Sequence, residues 1–227
     1  MSSSWLAPVD NYCERLDPGF WAEPLNALSN GAFILAAAYA FRLWRREGAR
    51  DWPGLWLVAV AASVGIGSFL FHTLANRWSL LADVLPIAAF IYSYFLLALR
   101  RYLHLEPVAA ILATAVFAAF NVSFDRIWFG WLPGVSLNGS VGYIPAALAL
   151  LAVGALCRPA GEKAAGRALL LAAGLFALSL AFRSMDAASC AALPAGTHFL
   201  WHGLNGLVLA VLMRAAILHK RPAHAPD

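Results

Sequence analysis

The feature that most constrains this sequence is a succession of apolar stretches, each about as long as a bilayer is thick and each bounded by charged residues. A helix needs about 20 predominantly apolar residues to cross the hydrocarbon core. The clearest stretch lies between Asp51 and Arg77, where the chain has no Lys, Arg, Asp or Glu. Seven such stretches are predicted, at about 23–44, 54–74, 79–99, 106–124, 137–157, 164–184 and 197–218. The sequence therefore predicts an all-α integral membrane protein, a seven-transmembrane helix bundle.

The composition supports a membrane location and argues against a nucleic-acid partner. Apolar residues make up 62% of the chain and charged residues only 12%, whereas soluble domains carry about 25% charged residues. The net charge of +4 is positive, but the basic residues stand in short clusters between apolar stretches. That distribution is typical of membrane topology signals rather than of a nucleic-acid-binding face.

The basic residues also predict the orientation of the bundle. One set, in alternate connections and at the C-terminal end, holds 12 of the 16: Arg42, Arg45, Arg46, Arg50, Arg100, Arg101, Arg158, Lys163, Arg167, Arg214, Lys220 and Arg221. The opposite side holds four: Arg15, Arg77, Arg126 and Arg183. Because cytoplasmic loops are enriched in Lys and Arg, the N-terminus is predicted to lie outside and the C-terminus in the cytoplasm.

Three regions follow from this topology. Residues 1–22 form an outer N-terminal segment, 23–218 the transmembrane domain, and 219–227 a short, Pro-rich cytoplasmic tail that is expected to be disordered. The first 20 residues lack a basic start and an apolar core, so no cleavable signal peptide is expected. The Ala- and Arg-rich composition favours a bacterial source, and with it the inner (plasma) membrane.

Five polar residues lie inside the predicted membrane-spanning stretches, where polar groups are energetically unfavourable. His72 and Ser68 fall four residues apart near the outer end of the second stretch, Asp83 near the start of the third, and His198 and His202 near the start of the seventh. Ionisable residues inside spans are costly and mark functional sites. Taken singly, each His is more simply a packing residue, and Ser68 is a common choice at close helix contacts. Their shared depth favours one common site.

The residue types in this layer suit a catalytic zinc site. A His pair at i, i+4 binds a metal from one helix face, and three His ligands leave zinc an open position for water. Bound zinc lowers the pKa of that water to about 7. Asp83 is the candidate to accept its proton, and the Ser68 hydroxyl is the candidate to bond a developing oxyanion.

Three segments resemble those of the alkaline ceramidases: GSFLFHTLANRWSLLADVLPI, THFLWHGLN and NYCERLDPGFWAEPLNALSN. These enzymes belong to a superfamily of seven-span membrane hydrolases that includes the adiponectin receptors. The resemblance implies a hydrolase of a linear amide bond, which cleaves ceramide to a fatty acid and a sphingoid base. It also implies that zinc is held by His72, His198 and His202, with Asp83 as the base and Ser68 at the oxyanion.

The resemblance further implies a calcium ion near the N-terminus. The available ligands are Asp10, Asn11, Tyr12 (through its carbonyl), Glu14, Asp17 and Glu23, and calcium favours such groups of oxygens. Two departures from the animal members stand out, since Tyr12 takes the place of a Trp and the stretch before Glu23 is shorter. The alternative is a solvated acidic segment, and the sequence leaves both open.

Two cysteines lie on the predicted outer side. Cys13 is in the N-terminal segment and Cys190 precedes the last stretch, while Cys157 is at the inner end of the fifth. In an oxidising compartment Cys13 and Cys190 could form a disulfide that braces the helix carrying the two histidines; two free thiols are the alternative. Arg183 and Asp186 flank the same loop and could form an ion pair.

Three functions are compatible with these residues. The leading one is zinc-dependent hydrolysis of ceramide or a related N-acyl lipid inside the membrane. Hydrolysis of another lipid amide or ester is an alternative, because apolar helix faces do not select one lipid. A non-catalytic, receptor-like lipid-binding protein is the third, although a binding pocket needs neither a base nor an open metal site.

Overall fold

The computed structural model describes residues 4–219. Within that range the chain is helical, with α1 Pro24–Ser29, α2 Gly31–Arg46, α3 Trp52–Leu74, α4 Arg77–Arg101, α5 Pro107–Trp131, α6 Ile144–Leu156, α7 Lys163–Ser189 and α8 His198–Leu218. Two short 3-10 turns precede α6. The predicted tail from residue 220 onward, with Lys220 and Arg221, lies outside the described residues.

The helices match the seven predicted stretches closely. Five of them, α3, α4, α5, α7 and α8, are long and apolar enough to cross a membrane. Helix α6 is shorter, with 13 residues. Helices α1 and α2 are separated only by Asn30, whose backbone is itself helical, so together they cover the first stretch. The prediction of an all-α fold is confirmed for the described residues, and five long apolar helices are typical of a multi-pass integral membrane protein.

Local sequence accounts for where the helices begin. Proline occupies the first turn of α1, α3, α5 and α6, where its missing N–H costs nothing. The Asp51 side chain accepts a hydrogen bond from the first turn of α3. Asn76 and Ser79 form a reciprocal capping box at the start of α4. This cap sets the register of α4 and so places Asp83 in its second turn.

Glycines let two pairs of helices approach closely. A Cβ atom added at Gly67 of α3 would lie 1.9 Å from the carbonyl oxygen of Ala82 in α4. A Cβ at Gly206 of α8 would lie 2.7 Å from the Ala32 Cβ of α2. Small residues are the means by which membrane helices bring their backbones together. These contacts bring the polar ends of α3, α4 and α8 to one side of the bundle.

The rest of the bundle has an apolar interior and an apolar exterior. Buried Phe, Leu, Val and Ala side chains from α2, α3, α4, α6, α7 and α8 form one continuous core. Helix α5 leaves nearly all of its apolar side chains exposed. An apolar exterior is expected where hydrocarbon replaces water as the solvent.

Candidate metal centre

Three histidines from two helices meet at one end of the bundle. His72 lies in the last turn of α3, and His198 and His202 lie in the first two turns of α8. Each is at most 2% exposed. One nitrogen of each ring lies within 4.8 Å of the others, and this is the one group of three or more His, Cys, Asp or Glu among residues 4–219 that could hold a metal ion.

The His72 ring is oriented for a ligand by Glu23. Its Nδ1 lies 2.6 Å from the Glu23 carboxylate, while its Nε2 is buried and has no hydrogen-bond partner. With the ring proton on Nδ1 and donated to the carboxylate, Nε2 presents a lone pair to the centre of the cluster. A buried nitrogen without a partner is rare, and a metal ion would satisfy it.

His202 is oriented in a similar way by Ser29. The Ser29 hydroxyl donates its hydrogen to the Asn26 carbonyl at 2.9 Å. Its oxygen lies 2.7 Å from Nδ1 of His202, so it accepts a hydrogen bond from that nitrogen. A hydroxyl has one hydrogen to give, and therefore Nδ1 carries the proton and Nε2 is left as a potential ligand.

His198 is held by stacking rather than by a side-chain hydrogen bond. The Tyr12 ring stacks on the His198 ring with centroids 3.7 Å apart and planes 18° apart. Nδ1 of His198 is buried and has no hydrogen-bond partner. Burial raises the pKa of the Tyr12 hydroxyl well above its ordinary value, so Tyr12 remains a neutral platform for the ring.

Asp186 anchors the helix that carries the histidine pair. Its buried carboxylate accepts hydrogen bonds from the backbone N–H groups of Thr197 at 2.7 Å, His198 at 2.9 Å and Cys13 at 3.2 Å. A carboxylate at this position also suits the positive end of the helix dipole. The expected ion pair between Asp186 and Arg183 is not formed, because the Asp186 carboxylate accepts hydrogen bonds from these backbone groups instead.

A disulfide closes the same corner. Cys13 and Cys190 are bonded, with Cα atoms 5.2 Å apart and a sequence separation of 177. The bond ties the N-terminal segment to the loop between α7 and α8. The backbone N–H of Cys13 also donates to Asp186, and the same carboxylate accepts from the backbone N–H of His198. Asp186 therefore links the disulfide to the start of α8.

Ser68 and Asp83 face the histidines from α3 and α4. Asp83 is 9% exposed, its Oδ1 has no partner, and Ser68 and the His72 ring are close enough to influence its carboxylate. Both residues line a polar cavity together with His198 and His202. A carboxylate and the histidine cluster therefore open onto one space.

Arg183 of α7 faces this cavity as well, which the sequence did not predict. Its guanidinium lies over the rings of Tyr143 and Trp201, at 5.4 and 5.6 Å from their centroids. One of its nitrogens donates to the Asn138 carbonyl at 2.6 Å. The position of Arg183 near the end of an apolar stretch could have indicated a role inside the bundle. Arginines at such positions, however, commonly extend to the membrane surface.

A larger apolar cavity adjoins the polar one. The two share Phe33, Val64, Ile87, Tyr143 and Trp201 in their walls. Beyond those residues the larger cavity is lined mostly by Phe, Leu, Ile, Val and Ala side chains from α4 to α8. The histidine cluster thus lies at one end of a space suited to hydrocarbon.

The calcium set receives no support from the described residues. The Glu14 carboxylate accepts from the backbone N–H groups of Leu25 and Asn26, at 2.7 and 2.8 Å, and so caps α1. Asp17 accepts from the backbone of Gly19. Asp10 and Asn11 are exposed, Tyr12 stacks on His198, and Glu23 contacts Arg15 and His72. These groups do not converge on one point.

Comparison with known proteins agrees with this arrangement. No match is found among curated proteins. The family model described as Ceramidase matches residues 10–221. That span includes both histidine-bearing segments, the Ser68–Asp83 pair and the N-terminal segment, which confirms the resemblance. The chain therefore belongs to the Ceramidase family.

Proposed function

We propose that this protein is a zinc-dependent hydrolase that cleaves the amide bond of ceramide, or of a related N-acyl lipid, within the membrane. The observation that carries the proposal is the set of three buried histidines beside Asp83, two of which, His72 and His198, have a buried ring nitrogen without a hydrogen-bond partner. That set lies where a polar cavity meets an apolar one. Family membership supports an amide-bond hydrolase.

His72, His198 and His202 are the residues proposed to hold the ion. Glu23 and Ser29 fix the ring nitrogens of His72 and His202, as such outer partners do in zinc enzymes. When bound, zinc would polarise the amide carbonyl and supply hydroxide at neutral pH.

Asp83 and Ser68 are proposed to carry the proton and the developing charge. The Asp83 carboxylate accepts a proton from the attacking water and returns it to the amide nitrogen as the C–N bond breaks. The Ser68 hydroxyl donates a hydrogen bond to the carbonyl oxygen as negative charge grows there. The products are a fatty acid and a sphingoid base.

The apolar cavity is proposed to bind the hydrocarbon of the substrate. Its walls contain almost no polar groups apart from Asn205 and the hydroxyls of Tyr94 and Tyr143, which suits an acyl chain. A two-chain lipid cannot reach the interior through water, so it would enter between helices from the bilayer. Apolar walls do not distinguish one acyl chain from another, and a related lipid amide or ester is therefore the second candidate substrate.

We also propose the topology on which this function depends. The disulfide, the N-terminal segment and the histidine cluster share one end of the bundle, and disulfides persist in oxidising compartments. The opposite end carries the basic residues in the last turns of α2 and α4, which favours the cytoplasm. Seven spans then place residues 1–22 outside, 23–218 in the membrane and the tail inside, in a bacterial inner membrane.

The test combines metal analysis with turnover by the full-length protein in detergent. Wild type is expected to contain zinc and to release fatty acid from labelled ceramide. Asp83→Asn should retain the metal and lose turnover, because it keeps the shape of the carboxylate without its basicity. Asp125→Asn, at an exposed position in α5, is the matched control. A wild type without zinc, or an active Asp83→Asn, would refute the proposal, and a zinc-loaded wild type that turns over no lipid amide or ester would favour a receptor-like role.

A further inference from the structure

Arg15 is a buried cation surrounded by oxygen atoms. Its side chain is 5% exposed, and Nε lies 2.5 Å from a Glu23 carboxylate oxygen. One terminal nitrogen donates to the carbonyls of Asp17 at 3.2 Å and Gly19 at 3.3 Å. The other donates to the carbonyl of His72 at 3.0 Å. One guanidinium thus joins four oxygen acceptors from the N-terminal segment and the end of α3.

The need for a cation here follows from Glu23. Its side chain is 4% exposed, and its second oxygen accepts from Nδ1 of His72 at 2.6 Å and from Asn26 at 3.1 Å. A buried carboxylate is costly unless it is both paired and hydrogen-bonded. Arg15 supplies the positive charge, and its planar fork matches several oxygens at once.

The same geometry does not fit a calcium ion. Calcium takes about 6–8 oxygen ligands at about 2.3–2.6 Å. Here a nitrogen of Arg15 already lies 2.5 Å from Glu23, at the distance a calcium ion would take. Glu14 and Asp17, the acidic candidates nearest to Glu23 in sequence, accept hydrogen bonds from backbone N–H groups instead. The cation that these oxygens need is part of the chain.

We propose that Arg15 replaces a structural calcium ion in this protein and acts as a positioning residue for His72. Arg15 holds Glu23 in place, Glu23 holds Nδ1 of His72, and Nε2 is thereby directed to the metal-ligand set. Arg15 also bonds the backbone carbonyl of His72, so the ring and the backbone of this residue are fixed by the same group. The positioning role rests on the proposed zinc function, whereas independence from calcium does not.

Two consequences separate this role from ordinary packing. Folding and turnover of the wild type should be indifferent to calcium. Loss of Arg15 should weaken zinc binding through His72, and outer partners of metal ligands typically change metal affinity by about 10–100-fold. Because Arg15 and Glu23 act through one contact, the two substitutions should not add.

The calcium experiment uses the zinc-loaded full-length protein in detergent. It is dialysed against calcium-free buffer, and its calcium content and melting temperature are then measured before and after calcium is added. No bound calcium and an unchanged melting temperature are expected for wild type. Stoichiometric calcium, or a melting temperature that rises with calcium, would overturn the replacement.

The positioning experiment measures zinc affinity by competition with a chromogenic chelator. Arg15→Ala, Glu23→Gln and the double variant are each expected to bind zinc about 10–100-fold more weakly than wild type. Their cobalt(II) visible spectra should change alike, since each alters the orientation of the His72 ring. Arg77→Ala, which removes an exposed arginine at the start of α4, is the control and should match wild type.

Refutation of the Arg15 role can be told apart from refutation of the proposed zinc function. A wild type that binds no zinc would refute the function and leave the calcium result standing. A zinc-bound wild type with an Arg15→Ala variant of equal affinity, or a double variant whose loss is the product of the single losses, would refute the positioning role. If Arg15→Ala does not fold, Arg15→Lys takes its place, because one ammonium cannot bond all four oxygens, and equal zinc affinity in that variant would again refute it.

Discussion

Replacing Gly67 with alanine tests whether the close approach of α3 and α4 brings Ser68 to Asp83. The added Cβ would lie 1.9 Å from the carbonyl oxygen of Ala82 and 3.2 Å from the backbone nitrogen of Asp83. Both atoms belong to the backbone, so no side-chain rotation relieves the overlap. The helices must separate to make room.

The loss of stability and turnover expected for Gly67→Ala follows from the 1.9 Å distance between the added Cβ and the Ala82 carbonyl oxygen. An ordinary contact begins near 3.4 Å, so the two backbones would separate by about 1.5 Å if α3 and α4 alone adjust, and overpacking of this kind costs about 1–3 kcal/mol. Alanine regains about 1 kcal/mol of helix propensity, which leaves a net loss of about 0–2 kcal/mol of stability. Catalysis should suffer more, because misplacing a catalytic group by about 1 Å can lower the rate roughly 100-fold.

The assay compares ceramide hydrolysis, bound zinc and melting temperature in three proteins. Gly174→Ala is the matched control, because it also lies inside a helix but has nothing within 4 Å of the added Cβ. It should equal or slightly exceed wild type in melting temperature and match its turnover. Gly67→Ala should lose about 100-fold in turnover with a modest change in melting temperature. Full activity in Gly67→Ala would refute the argument that this contact sets the geometry of Ser68 and Asp83.

Three further predictions concern the metal, the disulfide and the arginine. The double variant His198→Ala/His202→Ala should contain no zinc by elemental analysis; a full complement would refute the ligand assignment. Breaking the disulfide by Cys13→Ser/Cys190→Ser should lower stability by about 2–5 kcal/mol, measured by thermal unfolding, and an unchanged melting temperature would contradict its bracing role. Arg183→Gln should lower kcat/KM for ceramide by about 10–100-fold through loss of a charged hydrogen-bond donor, and wild-type kinetics would exclude it from the site.

Much of the fold was predictable because the requirements for crossing a bilayer can be read along the sequence, one span at a time. Every span needs about 20 apolar residues, and every backbone group must bond within its own helix. The described helices accordingly coincide with the seven apolar stretches. Two stretches depart in detail. The first is built from two helices joined at Asn30, and in the fifth only Ile144–Leu156 forms an α-helix, after two 3-10 turns.

The cluster of three histidines that could hold a metal ion was predictable for a related reason. Histidine and aspartate are expensive in hydrocarbon, so His72, His198, His202 and Asp83 stand out against their apolar neighbours. The calcium prediction lacked that advantage. Acidic residues in a polar segment are ordinary, and the sequence does not reveal that Arg15 pairs with Glu23 and bonds the backbone carbonyls of Asp17 and Gly19.

The sequence by itself determined the class of protein, the number of apolar stretches and the residues that lipid should exclude, because burial in a membrane depends on composition along the chain. Only the tertiary structure decided which partner each polar group has. Glu23 meets His72 across 49 residues and Asp186 meets Cys13 across 173. Such pairings depend on how closely helices pack, at glycines such as Gly67, and no local pattern in the sequence encodes that distance.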